Sequence, residues 1–140
     1  MRGLELDRVI VAVPDIDRSK AQFTELLGLE FGETVDGHTN PDAGEQNLKY
    51  SYGHPGIEFI SPTEDNEVQA FLDENGPGMY GTVFRVADFD EAVAELKEKG
   101  VEPIDRVDHL PEAPEAIYHP KDFGGALTIL TEYSHPVEMQ

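Results

Sequence analysis

The chain repeats itself, and no other feature limits its fold as strongly. The segment Val9-Ile-Val-Ala-Val-Pro-Asp-Ile-Asp17 returns 73 residues later as Thr82-Val-Phe-Arg-Val-Ala-Asp-Phe-Asp90. At that spacing Val13 meets Val86, Asp15 meets Asp88, Asp17 meets Asp90, Ala21 meets Ala94 and Phe23 meets Leu96. One residue short of it, Gly28-Leu29-Glu30 meets Gly100-Val101-Glu102. Self-similarity of this kind marks two copies of one supersecondary unit.

Each copy opens as strand, Asp-rich turn, helix, Gly stop, strand. Asp15 and Asp88 suit helix N-caps, where a short side-chain oxygen accepts from the first free N–H groups. Phe89, Ala92, Val93 and Leu96 share one helical face; Ile16, Phe23 and Leu27 do so less cleanly. Gly28 and Gly100 sit where a helix end favours a left-handed residue. Further strands are predicted at 29–35, 48–52 and 57–60 in the first copy, and at 101–107, 116–119 and 126–131 in the second. Each copy is therefore β-α-β-β-β. A short helix over 65–74, with Val68, Phe71 and Leu72 on one face, joins them, and Asn75-Gly-Pro-Gly78 ends it. Residues 36–46 and 108–114 are loops by composition, either of which can border a pocket, and 134–140 are a tail.

Composition excludes several classes. With 29 Asp plus Glu against 10 Lys plus Arg, the net charge is −19, which argues against nucleic acid and anionic membrane as partners. At 39% hydrophobic the chain can still build a core. The absence of Cys removes disulfides, thiolate zinc sites and thiol nucleophiles. The apolar run Val9–Val13 stops at Pro14, too short for a signal peptide or a membrane span, so a cytoplasmic location is expected. Two sources fit the charge equally: a salt-rich cytoplasm and an ordinary acidic protein.

Paired β-α-β-β-β units with V-x-D-x-D at the first turn resemble the vicinal oxygen chelate superfamily, which includes glyoxalase I, ring-cleaving dioxygenases, methylmalonyl-CoA epimerase and bleomycin-binding proteins. The likeness covers about residues 6–133. Gly44-Glu-Gln46, Glu67-Val-Gln-Ala-Phe-Leu-Asp-Glu-Asn-Gly76 and His119-Pro-Lys-Asp-Phe-Gly-Gly125 are similar to the epimerase branch. The resemblance implies one α+β domain over 1–140: two tandem βαβββ modules (about 6–62 and 79–133), a linker helix (63–78) and a tail (134–140). The modules are expected to form a curved, half-open mixed sheet around a central cavity, helices outside. A homodimer is also implied.

The metal positions of the family fall on Arg8, Glu58, Gly81 and Ile129. Only Glu58 can ligate, because a guanidinium is always protonated and Gly and Ile carry no donor. A divalent site needs about three or more N or O ligands. No cofactor is expected, with a divalent metal returning only if the alignment is displaced. His38, His54, His109, His119 and His135 are scattered rather than clustered, although His54 and Glu58 lie four apart across Pro55-Gly56.

With Val9, Val11 and Val13 packed under the helix, Arg8, Ile10 and Ala12 face the concave side. By the repeat, so do Gly81, Val83 and Arg85. Two readings stay open for each Arg: an anion hold, or pairing with an acid such as Glu58. Glu45 aligns with a catalytic base of the epimerases; the second base falls on Ile129. Catalytic residues are thus expected at Glu45 (base) and Arg8 (anion stabiliser). Ligand contacts are expected from Arg85, Glu58, Tyr50, Tyr52, Tyr80, Tyr118 and Lys121, against a structural reading for at least two of the tyrosines.

The resulting expectation is a metal-independent isomerase or lyase moving a proton on a small carbonyl, carboxylate or acyl-CoA ligand, an anion in charge. A drug-sequestering protein of the bleomycin-resistance type is one alternative. A metal-dependent methylmalonyl-CoA epimerase or lyase is the other.

Overall fold

The computed structural model describes residues 1–38, 46–107 and 113–132. Within them the chain forms an α+β fold of three helices and nine strands. In order these are β1 (Glu5–Ala12), α1 (Ile16–Leu27), β2 (Glu30–Phe31), β3 (Val35–Gly37), β4 (Leu48–His54), β5 (Ile57–Pro62), α2 (Glu67–Asn75), β6 (Gly78–Arg85), α3 (Phe89–Glu98), β7 (Asp105–Val107), β8 (Glu115–Tyr118) and β9 (Leu127–Thr131). Two compact units emerge. One is built on Arg8–Tyr80; the other joins Met1–Asp7 to the chain from Gly81 onward.

In the first unit the strands run β2-β4-β5-β1, with β3 also on β4. β1 lies parallel to β5, with Val9 opposite Ile57 and Ile10 opposite Glu58. The second unit has the order β6-β9-β8-β7, and β6 lies parallel to β9. In both, the first strand of the repeat returns beside the last. The expected β-α-β-β-β pattern is present in the second copy, and in the first with one strand split in two.

The helix ends follow the predicted chemistry. Asp15 has extended backbone and accepts from the Arg18 N–H at 3.1 Å, while Gly28, at φ 74°, closes α1 through its N–H to Thr24. Asp88 accepts from the Glu91 N–H at 3.0 Å in the same way. The linker helix begins at Glu67, two residues later than expected, because Asn66 is its cap: its Oδ1 accepts from Val68 and Gln69, and its amide donates to the Asn47 carbonyl.

Each unit carries its own core. Under α1, Val9, Val11 and Val13 pack with Ile16, Phe23, Phe31, Ile57 and Phe59. Phe31 stacks on Phe59 at 5.3 Å, and its ring passes over Gly53, where a Cβ would lie 2.4 Å from a ring carbon. Leu27 does not join this core; it is 68% exposed. Under α3, Phe89, Ala92 and Val93 pack with Val86, Ala116, Tyr118 and Leu130, flanked by Phe84, Leu96 and Phe123.

Two predicted strands are shorter than expected. The 29–35 segment splits into β2 and β3 around Gly32–Thr34, and the 101–107 segment pairs as β7 only from Asp105. Pro103 has no N–H to give to a ladder. Residues 39–45, 108–112 and 133–140, on which most of the expected loops at 36–46 and 108–114, the expected tail at 134–140, Glu45, His109 and His135 fall, lie outside the described residues.

Candidate functional site

In the first unit, alternation along paired strands gathers a polar row on the face opposite α1. Ile10 pairs with Glu58, which pairs with Tyr52; Ala12 pairs with Ile60, which pairs with Tyr50. Paired residues share a face, so Arg8, Ile10, Ala12, Tyr50, Tyr52, Glu58 and Ile60 lie together. The helix-packed set Val9, Val11 and Val13 is the complement, as the alternation requires.

Arg8 Nε donates to Glu58 Oε1 at 2.6 Å. Both residues are buried, at 6% and 8% exposure. Tyr52 covers the guanidinium, its ring centre 5.0 Å from Arg8 Cζ. Tyr50 meets Tyr52 edge to face at 5.3 Å. Gly37 lies under Tyr50, where a Cβ would come within 2.8 Å of two ring carbons. The order Gly37, Tyr50, Tyr52, Arg8, Glu58 is thus one continuous packed row across β3, β4, β1 and β5. Two formal charges buried together are held by a charge-assisted hydrogen bond and a cation–π contact. Of the two readings left open for Arg8, the pairing with an acid is present, with Glu58.

In the second unit Gly81, Val83 and Arg85 lie on the face away from α3, beside Leu127, Ile129 and Thr131 of β9. Arg85 pairs with Glu5 rather than with Glu58. Sequence reasoning did not find that partner, because the first strand was read from Val9 and in the structure begins at Glu5. At Gly81 a Cβ would lie 2.7 Å from the Leu127 carbonyl oxygen, so β6 and β9 leave no room there for a ligating side chain.

The remaining expected contacts fall elsewhere. Tyr118, named among the expected ligand contacts with a structural reading beside it, sits in the core of the second unit. It is fully buried on the α3 side and packs edge to face on Phe123 at 5.7 Å. Its hydroxyl finds no hydrogen-bond partner among the described residues. Burial pushes its phenol up from the ordinary value, partly countered by Arg106. Tyr80 packs on the linker helix, edge to face with Phe71 at 5.1 Å; burial, then Glu67, pushes its phenol up. It is not part of the Arg8 row. Lys121 lies exposed in a short 3-10 turn, its backbone N–H bonded to His119 Nδ1.

The four family metal positions do not fit a divalent ion. Glu58 is the one donor, and it is engaged by a cation; Arg8, Gly81 and Ile129 supply none. Among the described residues there is no group of three or more His, Asp or Glu placed to hold a metal.

A family model described as Glyoxalase/Bleomycin resistance protein/Dioxygenase superfamily matches residues 7–117. The ethylmalonyl-CoA/methylmalonyl-CoA epimerase of Cereibacter sphaeroides is 31% identical over 132 residues, covering 91% of this chain and 96% of that one. A solved methylmalonyl-CoA epimerase from Mycobacterium tuberculosis superposes with a TM-score of 0.73 at 26% identity, over 93% of this chain and 88% of that one. A hypothetical protein from Bacillus halodurans C-125 gives a TM-score of 0.82 over 98% and 99% of the two chains; at 24% identity it shows the fold.

Proposed function

This chain belongs to the Glyoxalase/Bleomycin resistance protein/Dioxygenase superfamily, and on that premise we propose that it moves a proton beside the carbonyl of a small carboxylate or acyl-CoA, as an isomerase or lyase, without a divalent metal. The observation that carries this reading is Arg8, a buried cation at a position where the family places a metal ligand. Relatives named as methylmalonyl-CoA epimerases supply the ligand class.

The chemistry asks for two groups. A base takes the proton from carbon, and a cation holds the negative charge that develops on the carbonyl oxygen. Glu45 is proposed as the base, on the resemblance alone. Arg8 is proposed as the charge holder, and its burial favours that role, because electrostatic attraction grows as water is excluded. Tyr52 and Glu58 contact it, with Tyr50 against Tyr52; Arg85 and Lys121 remain proposed ligand contacts. A cytoplasmic location and a homodimer belong to the same proposal. No helix among the described residues is long and apolar enough to cross a membrane.

Ile129 favours a second reading, binding without turnover, since an epimerase that uses two bases would lack one there. One experiment separates these. Purified protein is incubated with methylmalonyl-CoA in D2O, with chelator or with Co²⁺, and exchange of the α-hydrogen is followed by NMR beside elemental analysis of the protein. The proposal expects exchange that survives chelator, little bound metal, and a loss of about 100-fold in Arg8→Ala. Exchange only with Co²⁺, or near one metal per chain, makes it a metal-dependent epimerase or lyase. Saturable binding with no exchange makes it a binding protein.

A further inference from the structure

We propose that the groove between α1 and β2 is a second binding site, distinct from the Arg8 row, and that it takes an amphipathic anion: a carboxylate at Lys20 with an extended acyl chain running toward Leu27.

The helix sequence sets one wall. Lys20, Thr24 and Leu27 follow at i, i+4 and i+7, so they lie along one flank of α1, with Ala21 beside them. The chain turns back at Gly28, and Thr24 Oγ1 donates to the Leu29 carbonyl at 2.8 Å. Further along, Lys20 Nζ donates to Thr34 Oγ1 at 2.9 Å. Near these two ties lies an open groove of about 540 Å³, lined by Lys20, Ala21, Thr24, Leu29, Glu30 and Phe31. Small-molecule sites commonly occupy about 300–1,000 Å³. Leu29 and Phe31 are only partly buried by the core under α1, and they give the groove its apolar surface. Leu27 extends the flank and is 68% exposed, where the periodicity expects a core residue.

Charge identifies the head group. With 29 Asp plus Glu in the chain, a base has many acids to choose from. Lys20 is half-buried, and its ammonium bonds to a neutral hydroxyl; among the described residues no carboxylate pairs with it. An ammonium carries three donors, and Thr34 takes one. Glu30, the other charged residue of the lining, is exposed, where water and salt screen it. From Lys20 to Leu27 the helix advances about 10 Å, the reach of a medium-chain acyl group. A cationic head would meet Lys20, and a neutral one would leave its charge unanswered.

The test is a pair of amide NMR titrations with decanoate and decyltrimethylammonium, equal in chain length and opposite in charge, each kept below its micelle concentration. A net charge of −19 favours the cation over the surface at large, so a preference for the anion isolates Lys20. Decanoate should bind about tenfold more tightly, with shifts grouped at Lys20, Ala21, Thr24 and residues 29–31. Lys20→Met keeps the stem, removes the charge and should abolish the preference. Leu27→Asp should weaken decanoate about tenfold. Lys99→Met, on α3, should change neither. Decyltrimethylammonium binding as tightly as decanoate, shifts centred elsewhere, or a preference that survives Lys20→Met overturns the inference. So does a second copy seated on the groove, seen as a dimer that Leu27→Asp dissociates while decanoate shifts nothing. The α-hydrogen exchange assay is a separate readout: no exchange leaves this site standing, and silent decanoate leaves the proposed proton transfer standing.

Discussion

The buried Arg8–Glu58 pair makes a quantitative prediction. Both residues are at most 8% exposed and their polar atoms are 2.6 Å apart. Opposite charges about 4 Å apart attract by about 4 kcal/mol at an effective dielectric of about 20. Removing the two charges from water consumes most of that gain, so the pair contributes little net stability. Breaking it is a different matter. Glu58→Leu leaves a buried guanidinium with its carboxylate gone, and Arg8→Met leaves a buried carboxylate with its cation gone. Each should cost about 3–5 kcal/mol. At this chain length that corresponds to a fall of about 10 °C in Tm. The double variant Arg8→Met/Glu58→Leu removes both charges and fills the space with apolar atoms. It should return to within about 1 kcal/mol of the wild type or exceed it. Urea denaturation followed by far-UV circular dichroism measures all four corners of the cycle. If each single change costs under about 1 kcal/mol and the double is additive, the pair behaves as a solvated surface pair and the argument from burial is wrong.

Tyr118→Phe should stabilise the fold by about 1 kcal/mol in the same assay, because it removes a buried hydroxyl with no partner among the described residues. Burial holds the Tyr118 and Tyr80 phenols above their ordinary value. The folded chain then keeps protons that the unfolded chain releases near pH 10, so stability should fall as pH rises from about 10 through the folded values, read by denaturation alongside phenolate absorbance. Gly81→Ala should cost about 1–3 kcal/mol, because its Cβ would press on the Leu127 carbonyl at 2.7 Å; an unchanged urea midpoint would show that β6 and β9 part easily. With a net charge of −19, Tm should rise between low and molar KCl as repulsion is screened, and a flat or falling Tm would remove the case for a salt-rich origin.

The repeat was legible because its punctuation is local. Asp15, Asp88 and Gly28 act within one helical turn of themselves, and a short acid or a glycine has few other uses at those places. The face of β1 follows the reading that put Val9, Val11 and Val13 under the helix, and Arg8 on the other face favoured it, since a charge is costly against a helix-packed core. The misreadings come from residues whose partner is distant. Tyr118 stands in Glu-Ala-Ile-Tyr, where apolar residues occupy both faces, so alternation cannot say which side meets α3. Tyr80 does lie on a strand, β6, but its neighbour Phe71 belongs to a helix whose docking the sequence does not encode locally. Glu5 pairs with Arg85 across 80 positions of sequence, and Met1–Asp7 go with the second unit although they precede the first copy. Such pairings are chosen by tertiary packing and leave no trace in spacing.

Arg8 and Glu58 are best understood as one feature rather than two. A carboxylate at 58, on a strand buried from Ile57 to Ser61, is tenable only beside a positive charge. In the superfamily arrangement that the resemblance implies, a metal ion can supply that charge. Here the guanidinium supplies it from the neighbouring strand, where its own position can no longer ligate. On the proposed reading, an arginine in place of a metal would alter more than the source of charge. A metal ion accepts ligand oxygens from several directions and can change its coordination number during a reaction. A guanidinium offers donors in one plane, and here Glu58 takes the Nε donor while Tyr52 covers one face. On that reading an arginine in place of a metal would narrow the geometry of the anions held there while keeping the sign of their charge. The stability cycle and the exchange experiment therefore both change Arg8 and yet report separate properties: the first weighs the buried charges, the second the hold on a developing negative charge.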